Sequence, residues 1–218
     1  MTFADLLRFF TNNTRTITEY TDNHFTLVLL AVTISLVIWV PLGLVLTKSE
    51  KWASRILNLA NIIFCVPSLS LFAILVTIPM FGLGRKSALF ALVLYAMMPL
   101  LRNVYDGVKN VDRNVIEAAK GMGMSSGRIM REIQLPLGMP VIFAGFRITV
   151  VMTTGIAAIA TYIGERNLGR FISEGLVRSN TPMMVTGALL ISVIAIGLDT
   201  ILGVLEKKVI PRGLRTRR

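Results

Sequence analysis

Side chains that could carry out chemistry are few in this sequence of 218 residues, and they lie far apart. His24 is the single histidine and Cys65 the single cysteine. A haem usually needs paired axial histidines, and a zinc site needs several nitrogen or sulfur ligands, so neither group is expected. Arg147 and Asp199 are ionisable residues within long apolar segments, where such side chains hold helices together or line an ion path. We predict no catalytic residue and no metal site.

The composition indicates that these residues belong to a membrane protein. The hydrophobic class makes up 54% of the chain, only 16% is charged, and the mean hydropathy is +0.68. The 23 basic residues outnumber the 12 acidic ones and give a net charge of +11. In a soluble protein that excess would suggest a nucleic acid partner, whereas in a membrane protein it marks the cytoplasmic loops. We therefore expect the lipid bilayer as a partner and no nucleic acid.

Apolar segments that can cross the ~30 Å hydrocarbon core as helices set the fold class. None of them alternates apolar and polar residues as the strands of a membrane barrel do, so the prediction is all-α. One segment is short, and we expect its helix to continue past Arg102 into water. The five segments run from 25 to 46, 56 to 81, 87 to 101, 141 to 163 and 183 to 205.

The distribution of lysine and arginine predicts how the spans are oriented. Seven of these residues lie before the first span, between the second and third spans, or between the fourth and fifth. Fifteen lie on the opposite side, within 47–55, 102–140 and 206–218. Because basic residues accumulate on the cytoplasmic side, the N-terminus should face outward and the C-terminus inward.

Three regions follow from this arrangement. Residues 1–24 are an external segment in which the apolar residues of 2–11 recur at helical spacing, as in a helix that lies on the membrane interface or packs against the bundle. Residues 25–206 are the five-span domain, with a cytoplasmic loop at 102–140. Residues 207–218 are a basic cytoplasmic tail, which is either a plain positive-inside anchor or a sensor of ionic strength.

The cytoplasmic loop is long for so small a membrane protein, which indicates a purpose beyond connecting two spans. Asp112 or Asn114 can cap a short helix that Gly121 and Gly123 then end. A second short helix should begin near residue 125 and end at residue 135, because Pro136 disfavours helical geometry in the residue before it. Small side chains on the first helix leave a low surface that the backbone of another protein can approach.

The loop carries a pattern that resembles the EAA motif of permease subunits of bacterial ABC importers. In that family the segment is the coupling helix, which inserts into a cleft on the ATP-binding subunit. The resemblance implies that the matching positions transmit ATP-driven movement to the membrane helices. These positions are Glu117, Ala118, Ala119 and Gly123, followed by Ile133, Leu135 and Pro136.

A finer resemblance, over about residues 25 to 213, is to the permeases of osmoprotectant importers for glycine betaine, carnitine, choline and proline betaine. It implies a five-helix permease of the type I ABC importer (MetI-like) architecture, N-terminus outside and C-terminus cytoplasmic. In one departure, Glu165-Arg166-Asn167 stands where relatives often have a glycine-rich turn. The resemblance is carried by NIIFCVPSLSLFAIL (61–75), EAAKGMGM (117–124), MPVIFAGFRITV (139–150) and ATYIGERNLGRFI (160–172).

The resemblance also implies cofactors, partners and location. The chain should bind no cofactor itself, while a cytoplasmic ATP-binding subunit, present in two copies, uses ATP and Mg²⁺. A second permease subunit, identical or paralogous, should complete the pathway, and an external substrate-binding lipoprotein should deliver the solute. The chain should lie in the bacterial plasma membrane as a multi-pass subunit that is not an enzyme.

Candidate pathway residues follow from the expected solute, because a quaternary ammonium group favours aromatic faces. Prolines inside spans interrupt helical hydrogen bonding and can support a kink near a gate. The candidate rings are Phe64, Tyr95, Phe143 and Tyr162, and the candidate prolines are Pro67 and Pro99.

Several alternatives stay open or are weakened. An importer of another small solute, such as methionine or another amino acid, would carry the same loop, and so would a membrane scaffold that recruits an ATPase without transport. A secondary transporter needs more intramembrane ionisable groups than Arg147 and Asp199, and GLGRK at 82–86 is a poor channel filter. Arg147 itself either extends to the cytoplasmic interface or pairs with an acid such as Asp199.

Overall fold

The computed structural model describes residues 3–209, which form helices joined by short connections. No strand occurs within that range, and the all-α prediction is confirmed. Most of the basic tail, from residue 210 onward, lies outside the described residues. The helices are α1 (Phe3–Asn12), α2 (Thr14–Leu46), α3 (Glu50–Cys65), α4 (Ser68–Val76), α5 (Arg85–Lys109), α6 (Arg113–Gly121), α7 (Ser126–Ile129), α8 (Leu135–Ala157), α9 (Gly169–Val177) and α10 (Thr181–Val209).

Four helical segments of the described chain are long and apolar enough to cross a membrane: α2, α5, the continuous helix Ser126–Ile163 and α10. The remaining predicted span, 56–81, is not one helix. It is the pair α3 and α4, which meet at an angle of 94°. Residues 3–209 therefore contain up to five candidate spans, when this bent pair is counted as one.

The bend between α3 and α4 has a local cause at Pro67. Val66 has φ −66° and ψ 129°, and Pro67 has φ −56° and ψ 134°, so both residues are extended. Proline disfavours helical geometry in the residue before it and has no N–H to continue the helix. The apolar segment 56–81 therefore includes parts of two helices and is not a single straight helix.

The helix that contains the first predicted span begins before the apolar segment. Helix α2 starts at Thr14, so the predicted boundary between residues 24 and 25 falls inside a continuous helix. The polar residues 14–24 include no proline or glycine that would stop a helix. At the other end of the bundle α5 runs on to Lys109, which confirms the expected extension beyond Arg102.

Helix α1 packs against the bundle through one side and leaves the other open. The ring of Phe9 meets that of Phe171 of α9 edge to face, with centroids 5.9 Å apart. Leu7 and Phe10, on another side of α1, are 52% and 43% exposed. Phe9 therefore packs α1 against the bundle, as one of the two alternatives for this segment predicts. Contact of the exposed side of α1 with the membrane interface stays a prediction.

Helix α5 is the centre of the bundle and packs closely against α8. A Cβ atom built on Gly138 of α8 would lie 2.7 Å from the carbonyl carbon of Gly107 of α5, and one built on Gly107 would lie 2.9 Å from the carbonyl oxygen of Gly138. Only glycine permits this approach of the two backbones, because any side chain would overlap the facing peptide. The contact lies at the ends of α5 and α8 that bracket the loop at 110–134.

The predicted end of the second loop helix at residue 135 is wrong. Helix α7 continues through a π-helical segment, Met130–Gln134, directly into α8. In the π-helical segment the N–H of Leu135 donates to the carbonyl of Met130, five residues back, and Pro136 occupies the first turn of α8. The wider π turn accommodates the proline without a break, so the loop and the fourth span form one continuous helix.

Candidate functional site

Helix α6 carries the first part of the EAA-like pattern and is defined at both ends. The Asp112 carboxylate accepts a hydrogen bond from the backbone N–H of Asn114 at 2.8 Å and caps the N-terminus. After α6, Gly123 has φ +80°, a conformation that glycine adopts without strain. The N–H of Met124 donates to the carbonyl of Ala119, which closes the C-terminal turn.

The two alanines of the pattern occupy different sides of α6. Ala119 is fully buried, whereas Ala118 is exposed. Val115 and Met122 share the outer side and are 41% and 75% exposed. The Arg113 guanidinium binds Glu117 at 2.8 Å along the same helix. The outer side of α6 is thus a low, partly apolar surface with charged groups beside it.

The second part of the pattern ties the loop to the membrane helices. Ile133 lies in the π-helical segment, and Leu135 and Pro136 begin α8, all three partly buried. The side-chain amide of Gln134 donates to the carbonyl of Val108 of α5 at 3.4 Å. The part of the loop that begins at Ser126 therefore enters α8 as one continuous helix.

The candidate kink prolines behave differently from each other. Pro67 lies at the 94° bend between α3 and α4. Pro99 lies inside α5, which runs through it without interruption. Its carbonyl accepts a hydrogen bond from the side-chain amide of Asn103 at 2.8 Å.

Two of the candidate rings gather at the bend of α3 and α4. Phe64 and Tyr95 have centroids 6.3 Å apart, and the Tyr95 hydroxyl donates to the carbonyl of Val66 at 2.5 Å. That hydrogen bond satisfies a carbonyl that the broken helix leaves free. The ring of Phe143 instead contacts that of Phe146, with the ring centroids 6.1 Å apart. The fourth ring, Tyr162, lies near the end of the continuous helix Ser126–Ile163 and is 60% exposed.

Arg147 forms ion pairs with acidic residues of α10. Pairing with an acid such as Asp199 was one of the two alternatives for this residue. Its Nε and Nη2 donate to the two carboxylate oxygens of Asp199 at 2.9 and 2.8 Å. Its Nη1 donates to Glu206 at 2.8 Å. The apolar pattern did not indicate Glu206, because this residue follows the last apolar residue of the span. It lies seven positions after Asp199, however, and therefore on the same side of a helix. One guanidinium thus joins α8 to two turns of α10.

Glu165-Arg166-Asn167, which stands in place of a glycine-rich turn, forms contacts between elements at the end of the bundle opposite to α6. Glu165 is buried, and its carboxylate lies 3.4 Å from Nη1 of Arg85, whose Nη2 donates to the Thr26 hydroxyl at 2.7 Å. Burial raises the pKa of the Glu165 carboxyl above its ordinary value, and Arg85 opposes that rise. The carboxylate therefore connects the start of α5 with the turn that follows the continuous helix Ser126–Ile163.

Asn167 anchors the same turn from inside. Its side chain is fully buried, donates to the carbonyl of Ala157 at 2.8 Å and accepts the N–H of Gly169 at 2.7 Å. Both atoms of its amide are used, as expected for a buried polar side chain. Where a glycine-rich turn would be flexible, this turn is fixed by two hydrogen bonds.

No cluster of three or more metal-binding side chains occurs within residues 3–209. His24 is fully buried, and its Nε2 lies 3.1 Å from the carbonyl oxygen of Thr154. The structure brings together an exposed helix, α6, a continuous helix that enters the bundle from Ser126, and ion pairs between α8 and α10.

Comparison with a protein family identifies a match over most of the chain. Residues 39–211 match the family described as "Binding-protein-dependent transport system inner membrane component".

Curated relatives match along nearly their full lengths. The choline transport system permease protein OpuBB of Bacillus subtilis (strain 168) is 37% identical, and the match covers 96% of each chain. The glycine betaine/carnitine/choline transport system permease protein OpuCB of the same organism is 37% identical over 89% of each. The carnitine transport permease protein OpuCB of Listeria monocytogenes is 34% identical over 98% of this chain and 97% of that protein.

Among solved structures, the fold is similar to a chain of the MetNI methionine ABC transporter in an inward-facing conformation. The TM-score is 0.81, with 92% of this chain and 99% of that chain covered. The sequence identity is 18%, so this likeness concerns the fold alone.

Proposed function

Because the chain belongs to the family of inner membrane components of binding-protein-dependent transport systems, we propose that it is the permease of an ATP-driven importer for quaternary ammonium osmoprotectants. The observation that carries the cargo is the full-length similarity, at 34–37% identity, to permeases named for choline, carnitine and glycine betaine. Members of this family are membrane components of transport systems. We propose that the chain itself catalyses no reaction.

The proposed coupling site is the outer side of α6. Ala118 is small and exposed there, beside Val115 and Met122, so the backbone of an ATP-binding subunit can come close. Ala119 is buried, and Gly123 has a positive φ that favours glycine. These two residues support the shape of the helix and of its C-terminal end, and neither contacts the partner through a large side chain. Ile133, Leu135 and Pro136 connect α6 to the fourth span.

The proposed assembly contains partners of three kinds. Importers of this family work with an ATP-binding subunit and a substrate-binding protein, and we propose two copies of the first and an external lipoprotein for the second. A second permease subunit completes the pathway, because five helices give too little surface to enclose one. ATP and Mg²⁺ act in the partner ATPase. The basic loop at 102–140 and the C-terminus face the cytoplasm of a bacterial cell.

The cargo is tested by uptake of radiolabelled glycine betaine, carnitine and methionine into vesicles that hold the co-expressed system. We expect ATP-dependent uptake of glycine betaine or carnitine. Uptake of methionine alone would contradict the osmoprotectant assignment and leave a permease for another solute. No ATP-dependent flux of any tested solute would favour a scaffold that recruits an ATPase.

The coupling site is tested by Ala118→Trp in the same vesicles. The side chain at this position points into open space, so the variant should fold and insert normally, yet it should lose uptake and release the ATP-binding subunit on purification. Ala4→Trp is the matched control, because Ala4 is also an exposed alanine but lies on α1, outside the loop. Full uptake by Ala118→Trp, or equal losses in both variants, would contradict the assignment of α6.

A further inference from the structure

Helix α3 has two exposed faces of different chemistry, besides the face that packs against α5. Ala53, Leu57 and Ala60 are buried and belong to the packed face. Leu59 and Ile62 belong to an apolar face and are 51% and 64% exposed. The remaining face, which we call the polar stripe, is also exposed and consists of Ser54, Asn58, Asn61 and Cys65.

The spacing of the polar stripe places its residues on one side of the helix. They follow one another at intervals of four, three and four residues, which align side chains on a helix of about 3.6 residues per turn. Each residue of the apolar face directly follows an asparagine of the stripe, and one residue is a rotation of about 100° around the helix axis. The exposed polar and apolar residues are therefore segregated, as on a helix that meets two different environments.

Two amides of the stripe lie within the apolar part of the helix. Asn58 and Asn61 come after Ile56, where the apolar segment begins. Hydrocarbon offers no hydrogen-bond partner, so an amide that faces it loses the hydrogen bonds that it makes in water. Lipid favours apolar side chains instead, such as those on the neighbouring face. The exposed amides therefore require water or another polar group beside them.

The break between α3 and α4 indicates the same environment. The stripe ends at Cys65, and the extended residues Val66 and Pro67 follow. A break leaves the last carbonyls of one helix and the first N–H groups of the next without helical partners. Non-helical backbone at membrane depth is tolerated only where it is buried in protein or lines a water-filled cavity. Pro67 is exposed, which agrees with the second case.

A cavity opens at the other end of the stripe. It lies between α3 and α5, has a volume of about 330 Å³ and includes Ser54 and Asn58 in its lining, together with Arg102 and Tyr105 of α5. Helix α5 leads from this cavity toward α6, and Ser54 precedes the apolar segment. The stripe therefore runs from a polar opening on the α6 side about 16 Å along α3 into the span.

We propose that the polar stripe of α3 lines the aqueous pathway through which the solute crosses the membrane. This inference rests on the proposed permease function and adds residues that the solute passes. The stripe lies on the surface of this chain, so the second permease subunit closes the pathway on the opposite side. The stripe contains no charged residue, and its two asparagines can donate hydrogen bonds to the carboxylate of a betaine. Phe64, 40% exposed beside Cys65, offers an aromatic face to the quaternary ammonium group.

Cys65 makes a direct test possible, because it is the single cysteine of the chain and is exposed on the stripe. The co-expressed complex is placed in lipid nanodiscs, which leave both membrane surfaces open, and is treated with a methanethiosulfonate that carries a trimethylammonium group. The Cys65 thiolate attacks the sulfenyl sulfur of the reagent, forms a mixed disulfide and releases methanesulfinate. The charged reagent avoids hydrocarbon, and a thiol in hydrocarbon does not ionise. A gain in mass of this chain therefore reports water at Cys65.

Two further variants compare the two exposed faces at nearly the same depth. In a chain that carries Cys65→Ala, Asn61→Cys places the thiol on the stripe, and Ile62→Cys, the matched control, places it on the apolar face. We expect the thiol at position 61 to react about tenfold faster than the thiol at position 62, because only the first meets water. Rates are measured without nucleotide and with ATP and vanadate, so that both states of the ATPase are sampled.

Protection by solute connects the stripe with transport. A solute in the pathway excludes the reagent, so a solute at about ten times its Kd should slow the reaction of Cys65 about tenfold. We expect glycine betaine or carnitine to protect. Protection by methionine alone would support the pathway but contradict the proposed cargo, so that the two proposals can fail separately.

Three outcomes would contradict the proposal. Equal rates at positions 61 and 62 would mean that both faces of α3 lie in one environment. Slow reaction at both 61 and 65 in both nucleotide states would mean that another protein chain covers the stripe. Fast reaction that none of the three solutes slows would mean that the water on this face is not part of the solute pathway.

Discussion

The contact of α5 with α8 allows a quantitative prediction for Gly138→Ala. The new Cβ would lie 2.7 Å from the carbonyl carbon of Gly107, and closer still to its oxygen, whereas ordinary contacts begin near 3.4 Å. The two backbones must therefore separate by at least about 0.7 Å, and neither is a flexible side chain that can turn away. Overpacking of this kind costs about 1–3 kcal/mol of unfolding free energy.

The assay is thermal unfolding of the purified chain in one detergent, followed by circular dichroism. Each 1 kcal/mol lowers Tm by roughly 2–4 °C in a chain of this size, so Gly138→Ala should unfold about 2–12 °C below the wild type. Gly127→Ala is the control, since a Cβ there has no neighbour within 4 Å and alanine favours the helix. Its Tm should stay the same or rise.

The position of this contact adds a functional consequence. Gly107 and Gly138 bracket the loop that carries α6, so a separation of α5 and α8 should alter the position of α6 and reduce ATP-dependent uptake. If Gly138→Ala matched Gly127→Ala in both Tm and uptake, the close approach of the two backbones would be refuted.

Three other side chains give further predictions. Arg147→Met leaves two carboxylates without their cation and should cost about 1–3 kcal/mol of unfolding free energy, more than Asp199→Asn; equal Tm values for these two variants would contradict the shared ion pairing. Asn167→Ala leaves a buried carbonyl and the N–H of Gly169 unpaired and should cost about 2–4 kcal/mol, with faster hydrogen exchange at Gly169; unchanged exchange would refute the capping role. Because the folded state raises the pKa of Glu165, wild-type stability should increase as the pH falls through that raised pKa, and Glu165→Gln should lack this increase in matched melting curves; an identical pH profile would refute it.

Much of the fold could be predicted from the sequence because membrane helices obey simple rules of length and polarity. An apolar segment must satisfy its backbone within itself, so the all-α fold follows from the composition. The EAA-like residues Glu117 to Pro136 indicated the family, and the family match and the relatives confirm it. The end of the second loop helix was wrong, because a local rule for Pro136 takes no account of a π turn.

The candidate site was predictable in its loop and much less so in its interior. The exposed side of α6 follows from small residues at helical spacing, but no pattern along the chain indicates that Ala118 points outward and Ala119 inward. The rings of Phe64 and Tyr95 were two among several aromatic residues. Their contact, with ring centroids 6.3 Å apart, depends on how α3 and α5 pack against each other, which no local pattern specifies.

The sequence by itself determined that the chain is helical, that it belongs in a membrane and that one loop differs from a plain connection, because these properties depend on residues close together along the chain. Only the tertiary structure decided that Arg147 joins Asp199 and Glu206, that Glu165 reaches Arg85 and that Gly107 meets Gly138. Such pairs lie on different helices, and their distances depend on how the helices cross and rotate. The physical reason is that helix formation is satisfied by neighbours in the chain, whereas packing selects one arrangement of whole helices from many.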